Sequence, residues 1–310
     1  MVAAYKKLKK YVELVNEIGI EEAAYELGIQ VESLKRAIRA YKQSDKPGQK
    51  KKQEPKQKNK KSFFSCITKR PKKSNKPVLC FSDTHAPYHH KDTLPFLQWV
   101  QKTRGCREEV VCAGDLFDFH SMSRFVSETD APSPEEEYSN ALQFAADLTK
   151  AFPRGQLVLG NHDLIVQRQL SSIGITTDVL RDQHSLYGLP ESWGIHPLYY
   201  VLEPWNVLVE HGIGSMGKYG CANTAIQKRC SYVQGHNHSA AAVIYHQNHD
   251  SVIFGVNSGC LVDSTSLAMR YGKYGLRKGV IGCAVVYSEE HAEFIPISTY
   301  YAAVGKKYKL

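Results

Sequence analysis

The sequence predicts an α/β protein in which two mixed β-sheets pack face to face between flanking helices, preceded by a small all-α segment. From residue 77 onward, short apolar runs alternate with helical periodicity, which is typical of β-α-β units. Further along, apolar runs follow one another closely, which favours sequential β-hairpins. The first 42 residues show helical periodicity alone, which predicts a separate helical domain.

Apolar runs of strand length mark the predicted strands. The first, Val78-Leu79-Cys80-Phe81, is apolar at every position and therefore predicts a strand buried on both faces. A helix is predicted at 135–149, because Tyr138, Leu142 and Leu148 share one helical face. Strands are predicted at 77–82, 109–113, 156–159, 206–210, 231–234, 241–246, 251–256, 279–287 and 292–297.

Composition divides the chain into three predicted regions, 1–42, 43–76 and 77–310. Of the net charge of +9, residues 42–76 carry +12, residues 1–41 carry +1 and residues 77–310 carry −4. The middle region is rich in Lys, Gln, Pro, Asn and Ser, so we expect a disordered linker. Such a basic tether suits the release of counterions from nucleic acid, and a solubilising spacer is the alternative.

The N-terminal region resembles the helix-turn-helix of DNA-binding proteins. Ala24 permits a close helix crossing, Gly28 suits the turn, and Leu34 resumes the apolar face. A helical interaction module without a DNA role is the alternative interpretation. The candidate nucleic-acid-binding residues of the second helix are Lys35, Arg36 and Arg39.

Several function classes are not indicated. No run approaches about 18 apolar residues, so we expect no membrane span. The N-terminus has no apolar stretch before a small-residue cleavage site, and the eight cysteines include no Cys-x-x-Cys pair. We therefore expect a cytoplasmic protein with reduced thiols. The oligomeric state stays open.

Five short motifs combine carboxylate, amide and imidazole groups. The first three each follow an apolar run, and loops at the carboxyl ends of strands gather into one site in layered α/β folds. Together the motifs offer enough ligands for two adjacent divalent metal ions. They are Asp83-Thr84-His85, Gly114-Asp115-Leu116-Phe117-Asp118, Gly160-Asn161-His162-Asp163, His211-Gly212 and Gly235-His236-Asn237-His238.

This motif series resembles that of the calcineurin-like metallophosphoesterase superfamily over about residues 77–260. Asn257-Ser258-Gly259-Cys260 is similar to a segment that follows the last motif in many members. The resemblance implies a four-layer metallophosphoesterase fold. A helix-turn-helix before this domain is similar to phosphoesterases encoded by bacteriophages and prophages, for which the host cytoplasm is the expected location.

The resemblance also implies roles for individual residues. Two divalent metal ions are expected, manganese first, with iron, zinc or nickel as alternatives, because mixed oxygen and nitrogen ligands suit these metals. A hydroxide bridging the two metals attacks phosphorus in line. The implied ligands of the first metal are Asp83, His85, Asp115 and His238. Those of the second are Asp115, which bridges, Asn161, His211 and His236.

Other motif residues are expected to handle protons or contact substrate. By resemblance, His162 donates a proton to the leaving oxygen, and Asp163 orients it. Asp118 is expected to support His85 or the loop without binding metal. His120 or Arg124 is expected to contact phosphate, or else both are ordinary loop and helix-start residues.

Beyond the last metal motif, a Gly-punctuated basic and aromatic stretch at 270–278 is a further candidate for nucleic-acid binding, or an ordinary exposed connection. Its candidate residues are Arg270, Lys273, Arg277 and Lys278.

The leading functional hypothesis is a metal-dependent nuclease or phosphodiesterase acting on nucleic acid. One alternative is a phosphomonoesterase acting on phosphoproteins or nucleotides, with the N-terminal region used for localisation. A DNA-binding regulator with an inactive catalytic domain is a third, and intact ligands at all the motif positions argue against it.

Overall fold

The computed structural model describes residues 75–123, 132–176, 182–263, 265–266 and 279–308, with eight single residues between 12 and 38. The chain divides into two compact units, Met1–Thr68 and Lys69–Leu310. In the first unit, Val12, Val15, Ile20, Ala23, Leu34, Lys35 and Ile38 are helical. Gly19, with φ +88°, separates Val15 from Ile20.

Helical residues at these positions agree with the predicted helical periodicity of 1–42. Ala23 and Leu34 are fully buried, and for Leu34 this is expected from its place on the apolar face. The helix-turn-helix arrangement and the three-region division stay predictions. Lys35 is half-buried, whereas Arg36 and Arg39 lie outside the described residues.

The first sheet of the second unit contains six strands among the described residues. In spatial order they are β11 (His291–Pro296), β10 (Gly282–Ser288), β1 (Val78–Phe81), β2 (Val110–Cys112), β3 (Gly155–Val158) and β4 (Trp193–His196). Strands β1 to β4 run parallel, and β10 pairs antiparallel with both β1 and β11. The carboxyl ends of β1, β2 and β3 therefore meet at one edge.

The second sheet contains five strands among the described residues. In spatial order they are β5 (Tyr199–Leu202), β6 (Val207–Glu210), β7 (Tyr232–Gln234), β9 (Val252–Asn257) and β8 (Ala242–Gln247). Strands β6, β7 and β9 run parallel, while β5 and β8 pair antiparallel with β6 and β9. Both sheets are mixed, as predicted.

Helices flank the two sheets. They are α1 (Thr93–Thr103), α2 (Pro134–Ala151), α3 (Ile165–Ser172), α4 (Gln183–Tyr187), α5 (Gly220–Lys228) and α6 (Ile297–Ala303), with a 3-10 turn at His120–Met122. None of the helices in the described part of the chain is long and apolar enough to cross a membrane.

The side chains of β1 alternate between two apolar layers. Val78 and Cys80 pack between the sheets with Val233 and Val256 of the second sheet. Leu79 and Phe81 face the other way, into the core. That core also contains buried residues of α1 and α2, which are Phe96, Leu97, Val100, Ala141, Phe144, Ala145 and Leu148. Every side chain of β1 is buried, which explains its uninterrupted apolar run.

Helix α5 covers the outer face of the second sheet through Cys221 and Ala225, which pack on Tyr232. A Cβ added at Gly255 of β9 would collide with the backbone of Cys221 and Ala222. Glycine therefore allows the helix backbone to lie directly on the sheet. The resulting order of helices, sheet, sheet and helix is the expected four-layer architecture.

Candidate metal centre

The motif residues converge through an uncommon backbone conformation. Asp83, His85, Asp115 and His236 have φ angles of +53°, +47°, +52° and +66°. Non-glycine residues in this left-handed region cost about 1–3 kcal/mol each, and they cluster at functional sites. Asp83 and Asp115 follow the ends of β1 and β2, so the left-handed turns direct their side chains across the edge shared by the strands.

The first cluster contains Asp83, His85 and His238, whose potential ligand atoms lie within 4.8 Å of one another. His238 Nε2 lies 3.0 Å from Asp83 Oδ1 and 3.2 Å from His85 Nε2. The backbone N–H of His236 donates to both oxygens of Asp83, at 3.1 and 2.9 Å. The last motif is thereby fastened to the first.

The second cluster contains Asp115, His211 and His236, again within 4.8 Å of one another. His211 Nε2 lies 3.0 Å from Asp115 Oδ2 and 3.0 Å from the side-chain oxygen of Asn161. Asp115 Oδ2 also lies 3.7 Å from His85 Nε2 of the first cluster. Asp115 thus lies close to ligand atoms of both clusters, and its bridging role stays a prediction.

Asp118 holds two histidines at once. Its Oδ1 accepts from His85 Nδ1 at 2.6 Å and lies 3.0 Å from His162 Nδ1. The His162 ring also donates from Nδ1 to the backbone oxygen of Asp118 at 2.8 Å. The expectation that Asp118 supports His85 agrees with these contacts, and its contact with His162 is additional.

Asp163 differs from its predicted role. One oxygen accepts from the backbone N–H of Phe117 at 3.0 Å, and the other from that of Gly160 at 2.9 Å. The prediction that Asp163 orients His162 is therefore wrong, because Asp118 occupies that position. Asp163 instead ties its own loop to the loop after β2. Adjacency in sequence was misleading, because neighbouring residues of a tight turn point in different directions.

Hydrogen bonds determine which ring nitrogens are available as ligands. A carbonyl oxygen only accepts, so His211 Nδ1, 2.8 Å from the oxygen of Ala113, carries a hydrogen. Its Nε2 then faces two oxygens, where it can bind either a proton or a metal ion. His85 is arranged alike, with Nδ1 on Asp118 and Nε2 directed toward Asp83 and Asp115. Both donor sets fit a divalent cation.

The electrostatics of the clusters also favour a cation. Burial lowers the pKa of His211, but the charge of Asp115 and its hydrogen bond outweigh burial and raise it to about 9. Burial raises the pKa of Asp115, yet His211 brings it below its usual range. The pKa of Asp83 is likewise lowered by His238 and His85 against the effect of burial. Anionic oxygens therefore surround the ring nitrogens, and a divalent ion carries more charge than the proton it would replace.

Two carboxylates of the site differ in what they bind. Burial raises the pKa of both Asp118 and Asp163, but hydrogen bonds from His162 and His85 bring that of Asp118 well below its usual range. Asp163 has only backbone donors, and burial reinforced by the charge of Asp115 raises its pKa to about 6. The lowered pKa of Asp118 and the raised pKa of Asp163 agree with Asp118 as the carboxylate that binds the histidines.

Three motif glycines leave room for the ligands. A Cβ at Gly114 would collide with the His211 ring, one at Gly160 with the Asp115 carboxylate, and one at Gly235 with the Asp83 carboxylate. Each glycine of these motifs is thus required by the close approach of a candidate ligand from another strand.

The structure adds one supporting residue that the sequence did not reveal. Glu137 of α2 is buried and accepts from the backbone N–H of His120 at 2.7 Å and of Ser121 at 2.9 Å. It fixes the turn that follows Asp118. The available signal was its position one turn before Ala141 on the buried stripe of α2.

Several predicted substrate residues are not tested. His120 lies in the 3-10 turn and is half-exposed. The others lie outside the described residues, and they are Arg124, Arg270, Lys273, Arg277 and Lys278.

Two neighbouring carboxylate–imidazole clusters, with Asp115 of the second close to His85 of the first, lie beside paired mixed sheets and could hold metal ions. Residues 76–255 match the calcineurin-like phosphoesterase family, over more than half of the 310 residues. The chain belongs to this family of metal-dependent hydrolases, which act on phosphate esters. A search of curated proteins gave no match.

Replacing Gly114 with alanine tests the close approach of His211. Gly114 has φ +97°, and a Cβ added there would collide with the ring. Gly174 has φ +79°, and a Cβ added there would meet no atom within 4 Å. We expect Gly114→Ala to lower kcat/KM for p-nitrophenyl phosphate by about 10–100-fold, the usual cost of displacing a metal ligand's support. Gly174→Ala carries similar backbone strain without the collision, so its activity should stay within about twofold. Equal losses in the two variants would show that strain alone matters.

Proposed function

We propose that this metal-dependent phosphoesterase is a phosphodiesterase acting on nucleic acid. The observation that carries the proposal is the separation of charge along the chain. The catalytic region, residues 77–310, has a net charge of −4, whereas residues 42–76 carry +12. A polyanion is therefore attracted to the basic segment and not to the catalytic region as a whole.

The proposed ligands form two sets that share Asp115. Bound divalent ions supply Lewis-acid activation of water and of the phosphate oxygens. Each set mixes oxygen with imidazole nitrogen, which suits manganese, iron, zinc or nickel, and manganese is the metal that we propose. The first set is Asp83, His85, Asp115 and His238, and the second is Asp115, Asn161, His211 and His236.

His162 is proposed to deliver a proton to the leaving oxygen. Its backbone N–H donates to Asp115 Oδ1 at 2.8 Å, and its Nδ1 is engaged by Asp118. Its side chain is 30% exposed, whereas that of Asp118 is 1% exposed. The ring is therefore held at one nitrogen while Nε2 is left to reach a substrate. Burial lowers the pKa of His162, but the hydrogen bond to Asp118 outweighs it and raises the pKa, which favours the protonated form.

A phosphomonoesterase acting on phosphoproteins or nucleotides is the second candidate. The metal clusters suit both reactions, since either ester presents the same non-bridging oxygens. Asp118 and His162 also suit both reactions, because a protonated histidine assists any alkoxide leaving group. This alternative leaves the +12 segment to act only in localisation.

A substrate panel tests the proposal. Protein loaded with manganese is incubated with single- and double-stranded DNA and RNA, bis-p-nitrophenyl phosphate, p-nitrophenyl phosphate and a phosphopeptide. We expect strand cleavage and a preference for the diester over the monoester. Asp115→Asn, which loses one charge without a change of size, is the control for a contaminating nuclease. Intact nucleic acids with rapid monoester hydrolysis would overturn the proposal.

Replacing His162 with glutamine tests proton delivery. p-Nitrophenolate leaves without a proton, whereas an alkoxide needs one, so the loss of kcat should depend on the leaving group. We expect a fall of about 10²–10⁴-fold for an alkyl ester such as a dinucleotide, and a much smaller fall for bis-p-nitrophenyl phosphate. Unequal losses of this kind support His162 as the acid, whereas equal losses for the two esters would assign it a purely structural role.

A further inference from the structure

We propose that the loop 212–219, between His211 and α5, binds the bases of a nucleic-acid strand beside the scissile phosphate. This inference rests on the proposed function and adds the surface that recognises the substrate. The loop reads Gly212-Ile213-Gly214-Ser215-Met216-Gly217-Lys218-Tyr219 and contains no acidic residue.

The loop exposes large apolar side chains. Ile213, Met216 and Tyr219 are 60%, 62% and 55% exposed. They account for three of the ten exposed large hydrophobic residues in the described part of the chain, although they fall within seven positions. Isolated exposed apolar residues are ordinary, but a cluster of them gains nothing for folding and marks a binding surface.

The base of the loop is fastened to the motif that carries two candidate ligands. The side-chain amide of Asn237, between His236 and His238, donates to the backbone oxygen of Gly217 at 3.1 Å. Gln234, at the end of β7, donates to the oxygen of Ser215 at 3.2 Å. The loop starts directly after His211, and Asn237 lies between His236 and His238, so both connections are to segments that carry candidate ligands. Its exposed side chains are therefore held at the border of the site.

The backbone of the loop is shaped to present side chains outward. Gly212, Gly214 and Gly217 have φ angles of +96°, +86° and +96°, which side-chain-bearing residues adopt only with strain. Ser215 Oγ and Thr224 Oγ1 lie 2.6 Å apart and join the middle of the loop to α5. The turns are thus fixed while Ile213, Met216 and Tyr219 stay in solvent.

The side chains of the loop match a nucleic-acid strand. An exposed tyrosine ring offers a stacking surface for any base, and a flexible methionine fills space beside it. Lys218 Nζ lies 5.4 Å from the centroid of the Tyr219 ring. The loop therefore offers a ring for a base and, beside it, a cation for a backbone phosphate. This combination of ring and cation favours a nucleic-acid strand over a phosphopeptide, whose recognition relies on clustered arginines.

The test measures steady-state hydrolysis of oligothymidylate and of methyl p-nitrophenyl phosphate, which has no base. Tyr219→Ala combined with Met216→Ala should raise KM for oligothymidylate about tenfold, the loss expected from one stacked base. kcat/KM for the small ester should stay within about twofold, because the metal clusters are untouched. Tyr219→Phe keeps the ring and should retain the wild-type KM.

Two further variants control for surface effects. Ile226→Ala removes another exposed apolar side chain, on α5, and should leave both substrates unaffected. Lys218→Gln should weaken the dependence of oligothymidylate KM on salt, whereas Lys102→Gln on α1 should leave it unchanged.

The outcomes separate this inference from the proposed function. Wild-type cleavage of oligothymidylate with no change in the Tyr219 and Met216 variant would overturn the inference alone. Equal losses on both substrates would also overturn it, since they would assign the loop a structural role. A wild-type protein that hydrolyses only the small esters or a phosphopeptide would overturn the proposed function, and this inference with it.

Discussion

The pairing of buried carboxylates with imidazole rings is the constraint on which the catalytic unit depends. Asp83, Asp115 and Asp118 are almost completely buried. Burying an unpaired carboxylate costs several kcal/mol, so each needs a cationic or hydrogen-bonding partner. The histidines supply these partners, and each ring reaches its carboxylate from another motif. The pairing therefore links segments far apart in sequence and sets which strands must be neighbours.

The fold meets this constraint through strained loops and small residues. Parallel pairing of β1, β2 and β3 brings their carboxyl ends to one edge, where left-handed residues redirect the side chains. Gly114 and Gly160 leave space for His211 and Asp115. Glycine is the most flexible residue in the unfolded chain, so ordering these two costs more conformational entropy on folding, and burial in the core between and beside the sheets offsets that cost. The site thus lowers the stability of the fold, and the buried apolar layers raise it.

Much of this arrangement could be predicted from the sequence, because its signals are local. The apolar runs predicted β1, β2, β3, β6 to β11 and α2, and the strand-end motifs predicted the convergence of Asp83, Asp115 and His211. Helix α5 was not predicted, because Gly220-Cys221-Ala222-Asn223-Thr224 has little helical periodicity. It forms against Gly255, a contact between distant segments that local propensity does not reveal.

The wrong assignment of Asp163, in place of Asp118, as the partner of His162 has a similar cause. Both residues end a motif, and their distance from His162 in sequence favours Asp163. The direction of each side chain depends on turns that spacing alone does not specify. Strands β4 and β5 were also missed, since Pro197 separates two short runs and the partner of β4 is the distant β3.

The central claim, that these clusters are built for metal, is tested most directly by metal analysis combined with thermal unfolding. Purified protein is freed of metal, titrated with manganese, and followed by its Tm and by its bound metal content. The account predicts two ions per chain and a Tm that rises with manganese concentration, since binding to the folded state stabilises it. His211→Ala should bind less metal and gain less stability. A wild-type protein that binds no manganese, zinc, iron or nickel, and whose Tm does not change, would contradict the account.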